Sequence, residues 1–322
     1  MKIVGNLLFG AGVAAFLSIT PGFCAGPSAA PANAPGIPAQ LIVTVQPARG
    51  SAAPDHLGAD DLSVVVGRIP ARVVGSERLS GDSAPLQLFI LLDDSSPASA
   101  LGIQLSDLKA FVRALPANTQ VGVGYMRNGT AAIAQAFTQD HEKAAASLRL
   151  PLASVGQNGS PYFVLSDLAK HWPSQASTTE APGRRVVLMV TDGVDRYFDN
   201  SVVDDPYVDH AVHEALKQDI LVYSIYLRDT GIYDRGSRTT LFAQSRLQQV
   251  SQQTGGYAYF QDFTDPVSLA PFLKDFQSRL NHQYQVKILA FNTSRNSGMQ
   301  PVRVRSEVHG LKIEGPTRIY VR

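Results

Sequence analysis

Cysteine is almost missing from this 322-residue sequence: the single residue, Cys24, lies in an N-terminal stretch that reads as removable. A mature chain without it has no disulfide, no thiolate nucleophile and no thiolate metal site. An excess of charge of either sign is also lacking. Lys and Arg number 28 against 27 Asp and Glu, and no basic run occurs, so the attraction on which nucleic-acid binding rests is absent. Long apolar runs are confined to IVGNLLFGAGVAAFLSIT, Ile3 to Thr20. This run follows Met1-Lys2 and leads through Pro21-Gly22 into small residues around Ala25, the order of a secretory signal peptide. The competing reading is a retained anchor, because the run approaches the ~20 residues that span a bilayer. Its glycines and the following GPSAAPANAPG favour cleavage, and Pro21-Gly22-Phe23 suits lipid attachment at Cys24 poorly. The expectation is a secreted or periplasmic protein with no membrane span after cleavage.

What is present is ample material for a core: 44% of residues are apolar and 17% charged. Residues 1–25 read as the signal peptide and 26–38 as a Pro/Ala-rich linker. Residues 39–84 alternate as strands in QLIVTVQPA, DLSVVVG and PARVVG. From 85 to 281 apolar strands such as LQLFILL, RRVVLMVTDG and DILVYSIYL alternate with helical patterns such as LGIQLSDLKAFVRAL and DHAVHEALKQ. That rhythm predicts a doubly wound, mostly parallel sheet with helices on both faces. Asn128-Gly129 predicts a hairpin that adds an antiparallel edge strand. In DPVSLAPFLKDFQSRLNHQ, Pro271 predicts a kink or a late helix start. Residues 282–322 return to strand alternation. Neither β segment is long enough for a comfortable core alone, so the two chain ends are expected to pack as one small β-sandwich with the α/β unit inserted between them.

The stretch FILLDDSSPASA, Phe89 to Ala100, runs a buried strand straight into Asp93, Asp94 and Ser95. A second apolar strand ends in Thr191-Asp192-Gly193, and Ser160 stands just before a helix that opens on Pro161. In an open parallel sheet, ligands bind beyond the carboxyl ends of the strands, where strand order reverses. Oxygen donors from these three segments suit a hard cation, Mg²⁺, Mn²⁺ or Ca²⁺, rather than zinc. The alternative is that Asp93, Asp94 and Ser95 only cap the next helix and Asp192-Gly193 only turns the chain.

On these residues the chain resembles the von Willebrand factor A family, and its flanking β segments resemble bacterial secreted proteins related to it. The family's Asp-x-Ser-x-Ser is met here by Asp93-Asp94-Ser95-Ser96-Pro97, its loop threonine by Ser160, and its Thr-Asp-Gly by Thr191-Asp192-Gly193; QQTGGYAYF, Gln252 to Phe260, matches a recurrent late segment. The resemblance implies a metal-ion-dependent adhesion site in which Asp93, Ser95, Ser160 and Asp192 hold a divalent cation, Mg²⁺ first. It implies a protein or other macromolecular partner that contributes an acidic side chain to the ion. Pro97 stands where the family has its second serine, so one direct ligand is gone.

No catalysis is expected. HAVHE, with His210 and His213, has the wrong order and spacing for a zinc protease. NGSPY lacks the second glycine of a nucleophile elbow, and no phosphate-binding loop follows the first α/β strand. Arg184-Arg185 reads as a solvated strand entrance, and Tyr257 and Tyr259 as cover for an edge strand. The function expected is a non-catalytic binding module, dependent on a cation if the degenerate site still holds one. Its rivals are a metal-free interaction module on the same fold and, further off, a metal-assisted hydrolase.

Overall fold

The computed structural model describes residues 36–47, 53–79, 84–94, 101–102, 104–152, 160–173, 184–197, 204–228, 237–261, 265–291 and 298–321. The expected signal peptide lies outside them. Among the described residues no helix is long and apolar enough to cross a membrane.

The chain is a mixed α/β protein built on two sheets. Strands β1 (Gly36–Pro47), β2 (Leu62–Val66) and β3 (Ile69–Arg78) come first. The α/β unit then runs through β4 (Leu86–Asp93), helix α1 (Leu105–Arg113), β5 (Thr119–Arg127), β6 (Thr130–Thr138), helices α2 (His141–Ser147) and α3 (Pro161–Lys170), and β7 (Arg184–Thr191). It continues with α4 (Pro206–Lys217), β8 (Ile220–Tyr226), α5 (Ser237–Thr254), β9 (Ala258–Tyr259) and α6 (Ala270–Asn281). The tail supplies β10 (Gln283–Phe291), β11 (Gly298–Ser306), β12 (Leu311–Glu314) and β13 (Arg318–Val321).

The six-stranded sheet has the order β6-β5-β4-β7-β8-β9 and is parallel except at β6. Successive residues of a strand face opposite sides, and β4 is apolar on both. Leu88, Ile90 and Leu92 pack with α1, α2 and α6, while Phe89 and Leu91 pack with α3, α4 and α5. Each such side chain, fully withdrawn from water, contributes roughly 1.5–3 kcal/mol. The expected hairpin is present, with Asn128 at φ 51 and Gly129 at φ 76, both in the left-handed region that a tight primed turn needs. Pro271 lies in the first turn of α6, so the late start is the correct half of that expectation.

The seven-stranded sheet has the order β12-β1-β10-β3-β2-β11-β13, and its described pairings are antiparallel. Strands from both chain ends therefore interleave. The sheet curls at β3, which divides its bonding: Ile69–Ala71 pair with β2, whereas Arg72–Arg78 pair with β10. The register slips between Lys287 and Ile288 of β10, where Val74 is skipped, and a bulge of this kind bends a strand from one layer into the next. The curled sheet closes on its own core, with Val43, Val45, Val64, Tyr284, Val286 and Val321 inside. Two local differences from the sequence reading are seen. Gly36 to Pro38, read as the end of the linker, already pair with Leu289 to Phe291. β12 was not anticipated, because Leu311–Glu314 is too short and too charged to show alternation.

Candidate functional site

β4 and β7 lie side by side in parallel, Leu92 opposite Val190, so their acidic ends leave the sheet together. Strand order reverses there, since β5 follows on one side of β4 and β7 on the other. Thr191 Oγ1 donates to Asp93 Oδ2 at 2.7 Å, and both residues are buried. Gly193 follows Asp192 at φ +66; a Cβ there would come within 2.6 Å of Leu247 Cγ and 3.1 Å of the Ala243 carbonyl oxygen. The glycine of Thr-Asp-Gly is thus required twice, by its backbone conformation and by the close approach of α5.

Ser160 caps α3: its Oγ accepts from the Tyr162 amide at 3.2 Å, and Pro161 occupies the first turn. The same hydroxyl donates to Asp195 Oδ2 at 2.5 Å. Tyr162 Oη donates to the Gly193 carbonyl at 2.8 Å. Asp93 and Ser160, two of the four expected ligands, are thus each bonded to the segment 191–195 that carries a third, Asp192, and all three are buried. The fourth, Ser95, lies outside the described residues, as does Pro97.

The carboxylates are engaged from within the protein. Asp192 Oδ1 accepts from the Val194 amide at 2.9 Å, and its Oδ2 pairs with the Arg196 guanidinium at 3.0 Å. Asp195 Oδ1 accepts from the Tyr197 amide at 2.7 Å. An oxygen-only donor set suits a hard cation. As arranged, however, it does not fit one: Arg196 supplies the positive charge at Asp192, and the Ser160 proton points to Asp195. Among the described residues no group of three or more His, Cys, Asp or Glu side chains is disposed to hold a metal.

Beneath this layer Asp205 caps α4 through the Tyr207 amide at 2.9 Å and lies 3.4 Å from Arg246 Nε of α5. Burial pushes the Asp205 carboxyl above its ordinary value, and the neighbouring Asp195 adds to the push. Burial likewise raises the Tyr162 phenol well above 10, so it stays a hydrogen-bond donor.

Asp94 points away from this cluster. It accepts from Arg149 at 2.7 and 3.2 Å, from the Leu152 amide at 2.9 Å, and pairs with Arg127 at 3.3 Å. Burial raises its carboxyl, but the Arg149 hydrogen bond, the Leu152 amide and the two guanidinium charges outweigh that and leave it below its usual value. A carboxyl lowered on folding stabilises above its unfolded value of 3.8 and loses that contribution as pH falls through the lower folded value. Asp94→Ala is expected to cost about 1–3 kcal/mol at neutral pH. The loss should shrink when urea unfolding is repeated below pH ~3; a loss independent of pH would separate it from the charge.

Around the cluster the surface turns aromatic. The ring of Phe163 of α3 packs, tilted, against Tyr207 of α4 at 4.3 Å and Tyr197 at 5.4 Å between centroids, and Tyr197 is 62% exposed. Leu150 and Leu152, also exposed, follow Arg149 on the Asp94 side. The sequence reading missed Asp195, Arg196, Asp205 and Arg246. Asp205-Pro206 carried a readable signal, a cap residue followed by proline; the others carried none.

No protein family matches the sequence, and no curated protein does. Among solved structures, it is similar to an aerotolerance-related membrane protein from Bacteroides fragilis NCTC 9343, determined with multiple mutations to serine. It is similar too to a conserved hypothetical protein, BatB, from Bacteroides thetaiotaomicron. Each is 18% identical with a TM-score of 0.43, the match covering 61% of this chain and 98% of the other.

Proposed function

We propose that this chain is a secreted or periplasmic, non-catalytic binding module of the von Willebrand factor A type, which meets another macromolecule at the strand-tip face. The observation that carries the reading is the make-up of that face. Buried carboxylates there are tied into internal hydrogen bonds rather than presented to a substrate, while Tyr197, Leu150 and Leu152 stand exposed around them. Exposed aromatic side chains beside buried polar anchors are the composition of protein-binding hot spots. Asp94 carries two guanidinium groups on one carboxylate. The surplus positive charge gives an acidic side chain of the partner a place to dock without a metal.

The second reading keeps the cation. Asp93, Ser95, Ser160 and Asp192 would hold Mg²⁺, Mn²⁺ or Ca²⁺, which would supply a fixed charge for the partner's acid. It is favoured by the oxygen-only donors and by the Ser160 hydroxyl, and it requires Arg196 to leave Asp192.

The partner is sought by affinity capture from the native envelope, with wild type and Tyr197→Ala in parallel and with and without chelator. Capture by wild type, weakened ~10-fold or more by Tyr197→Ala, is expected for an aromatic hot spot. Equal capture by both proteins would remove the strand-tip face from the interaction. Loss of capture in chelator would favour the second reading.

A further inference from the structure

At the opposite end of the parallel sheet, where β7 and β8 begin, a cleft of about 570 Å³ separates the α/β unit from the curled sheet. It is lined by Ile42 of β1, Gln285 of β10, Leu216, Leu221 and the two cations Arg184 and Arg185, and also by the carboxylates Glu77 and Asp219. Its size and its position between two structural units are those of small-molecule sites.

Arg184, expected to be solvated, is instead drawn inward. Its Nη1 donates to the Leu280 carbonyl and to Gln283 Oε1, both at 2.6 Å. Its Nε is buried without a hydrogen-bond partner. Among the described residues no carboxylate pairs with it. Burial without an opposing charge lowers its pKa to about 10. Arg185 is better provided, bonded to the Gln218 carbonyl and side chain and near Asp219. Arg184 is partly exposed and lines the cleft, so a carboxylate or phosphate accepting from the face of its guanidinium that the cleft reaches would supply the anion that it lacks.

We propose that this cleft binds a small organic anion, its carboxylate or phosphate group on Arg184 and its apolar body along Ile42, Leu216 and Leu221. The two anionic groups share one chemistry at the guanidinium, and the apolar residues of the lining give an organic body something to pack on. The site is remote from the strand-tip face and stands whether or not that face binds a protein.

The test is calorimetric titration of the full chain with octanoate, octyl phosphate and octanol, with melting temperature read alongside. One-to-one binding of octanoate or octyl phosphate, but not octanol, is expected, and the tighter of the two identifies the head group. Arg184→Gln should weaken it ~10-fold or more, the equivalent of one charge-assisted pair, whereas Arg185→Gln should change it less than about threefold. Because Arg184 also links the two units, Gln285→Phe is made as a second variant that fills the cleft and leaves the arginine in place; it should abolish binding. Equal binding of octanol, no binding of either anion, or binding that survives both Arg184→Gln and Gln285→Phe would overturn the proposal.

Discussion

Replacing Arg246 by methionine is expected to lower the unfolding free energy by roughly 3–5 kcal/mol, the cost of removing one partner from a buried ion pair. Arg246 is 1% exposed, and its guanidinium approaches the carboxylate of Asp205, which is itself enclosed. Methionine restores most of the apolar stem, so the loss isolates the charge. What stays behind is a pair of acids, Asp205 and Asp195, in a region that water does not reach. The Asp205 carboxyl is already raised by burial and by Asp195, and without Arg246 it rises further. A carboxyl raised on folding destabilises the native state above its folded value, and the penalty is relieved as pH falls through that value toward 3.8. The deficit of Arg246→Met should therefore shrink in urea titrations as the pH is lowered from neutral toward 3.8. Adding Asp205→Asn should recover part of it. A loss under about 1 kcal/mol would mean that the three helices around the site are held by packing alone.

Arg196→Gln is expected to raise the affinity for Mn²⁺ or Mg²⁺ by about tenfold or more, with a matching gain in melting temperature on adding the ion. The guanidinium sits on the carboxylate that the ion would need, and like charges exclude one another at that distance. Glutamine keeps a hydrogen-bond donor on a shorter side chain and drops the charge. The control is Asp192→Asn in the same background, which should return affinity to baseline. Calorimetry and Mn²⁺ relaxation both read the result without any partner. Tight binding by wild type, unchanged in Arg196→Gln, would show that arginine and ion do not compete. No binding by either protein would leave the strand-tip face as a metal-free surface.

The acidic strand ends were legible because two short patterns, FILLDD and VVLMVTDG, each join a buried run to a polar tip, and a parallel sheet aligns such tips. The place of Ser160, just before a helix that opens on Pro161, was legible, although it was read there as an oxygen donor and not as the cap that it is. Its second bond, to Asp195, was not, since it depends on how the turn after Gly193 folds back across α3. Arg196 was hidden for the same reason: a charged residue four positions beyond an aspartate is commonplace, and only the turn makes it that aspartate's counter-ion. Arg184 was read as solvated because a strand's first residue usually meets water. The end of α6 and the start of β10 enclose it here, through Leu280 and Gln283. The interleaving of β1 to β3 with β10 to β13 was foreseen in kind but not in order, because antiparallel partners follow from register and not from proximity in sequence.

That interleaving bears on how the chain reaches its native state. β1 binds β10 on one side and β12 on the other, so the first strand of this sheet in chain order finds its neighbours only among the last four. Until then its hydrogen-bonding edges and its valines have nowhere to go, and closing so long a loop slows assembly. The α/β unit is free to form in the meantime and to bring its two ends together. A polypeptide cut short before residue 283 would leave β1, β2 and β3 as an unfinished, adhesive flap attached to an otherwise complete globule.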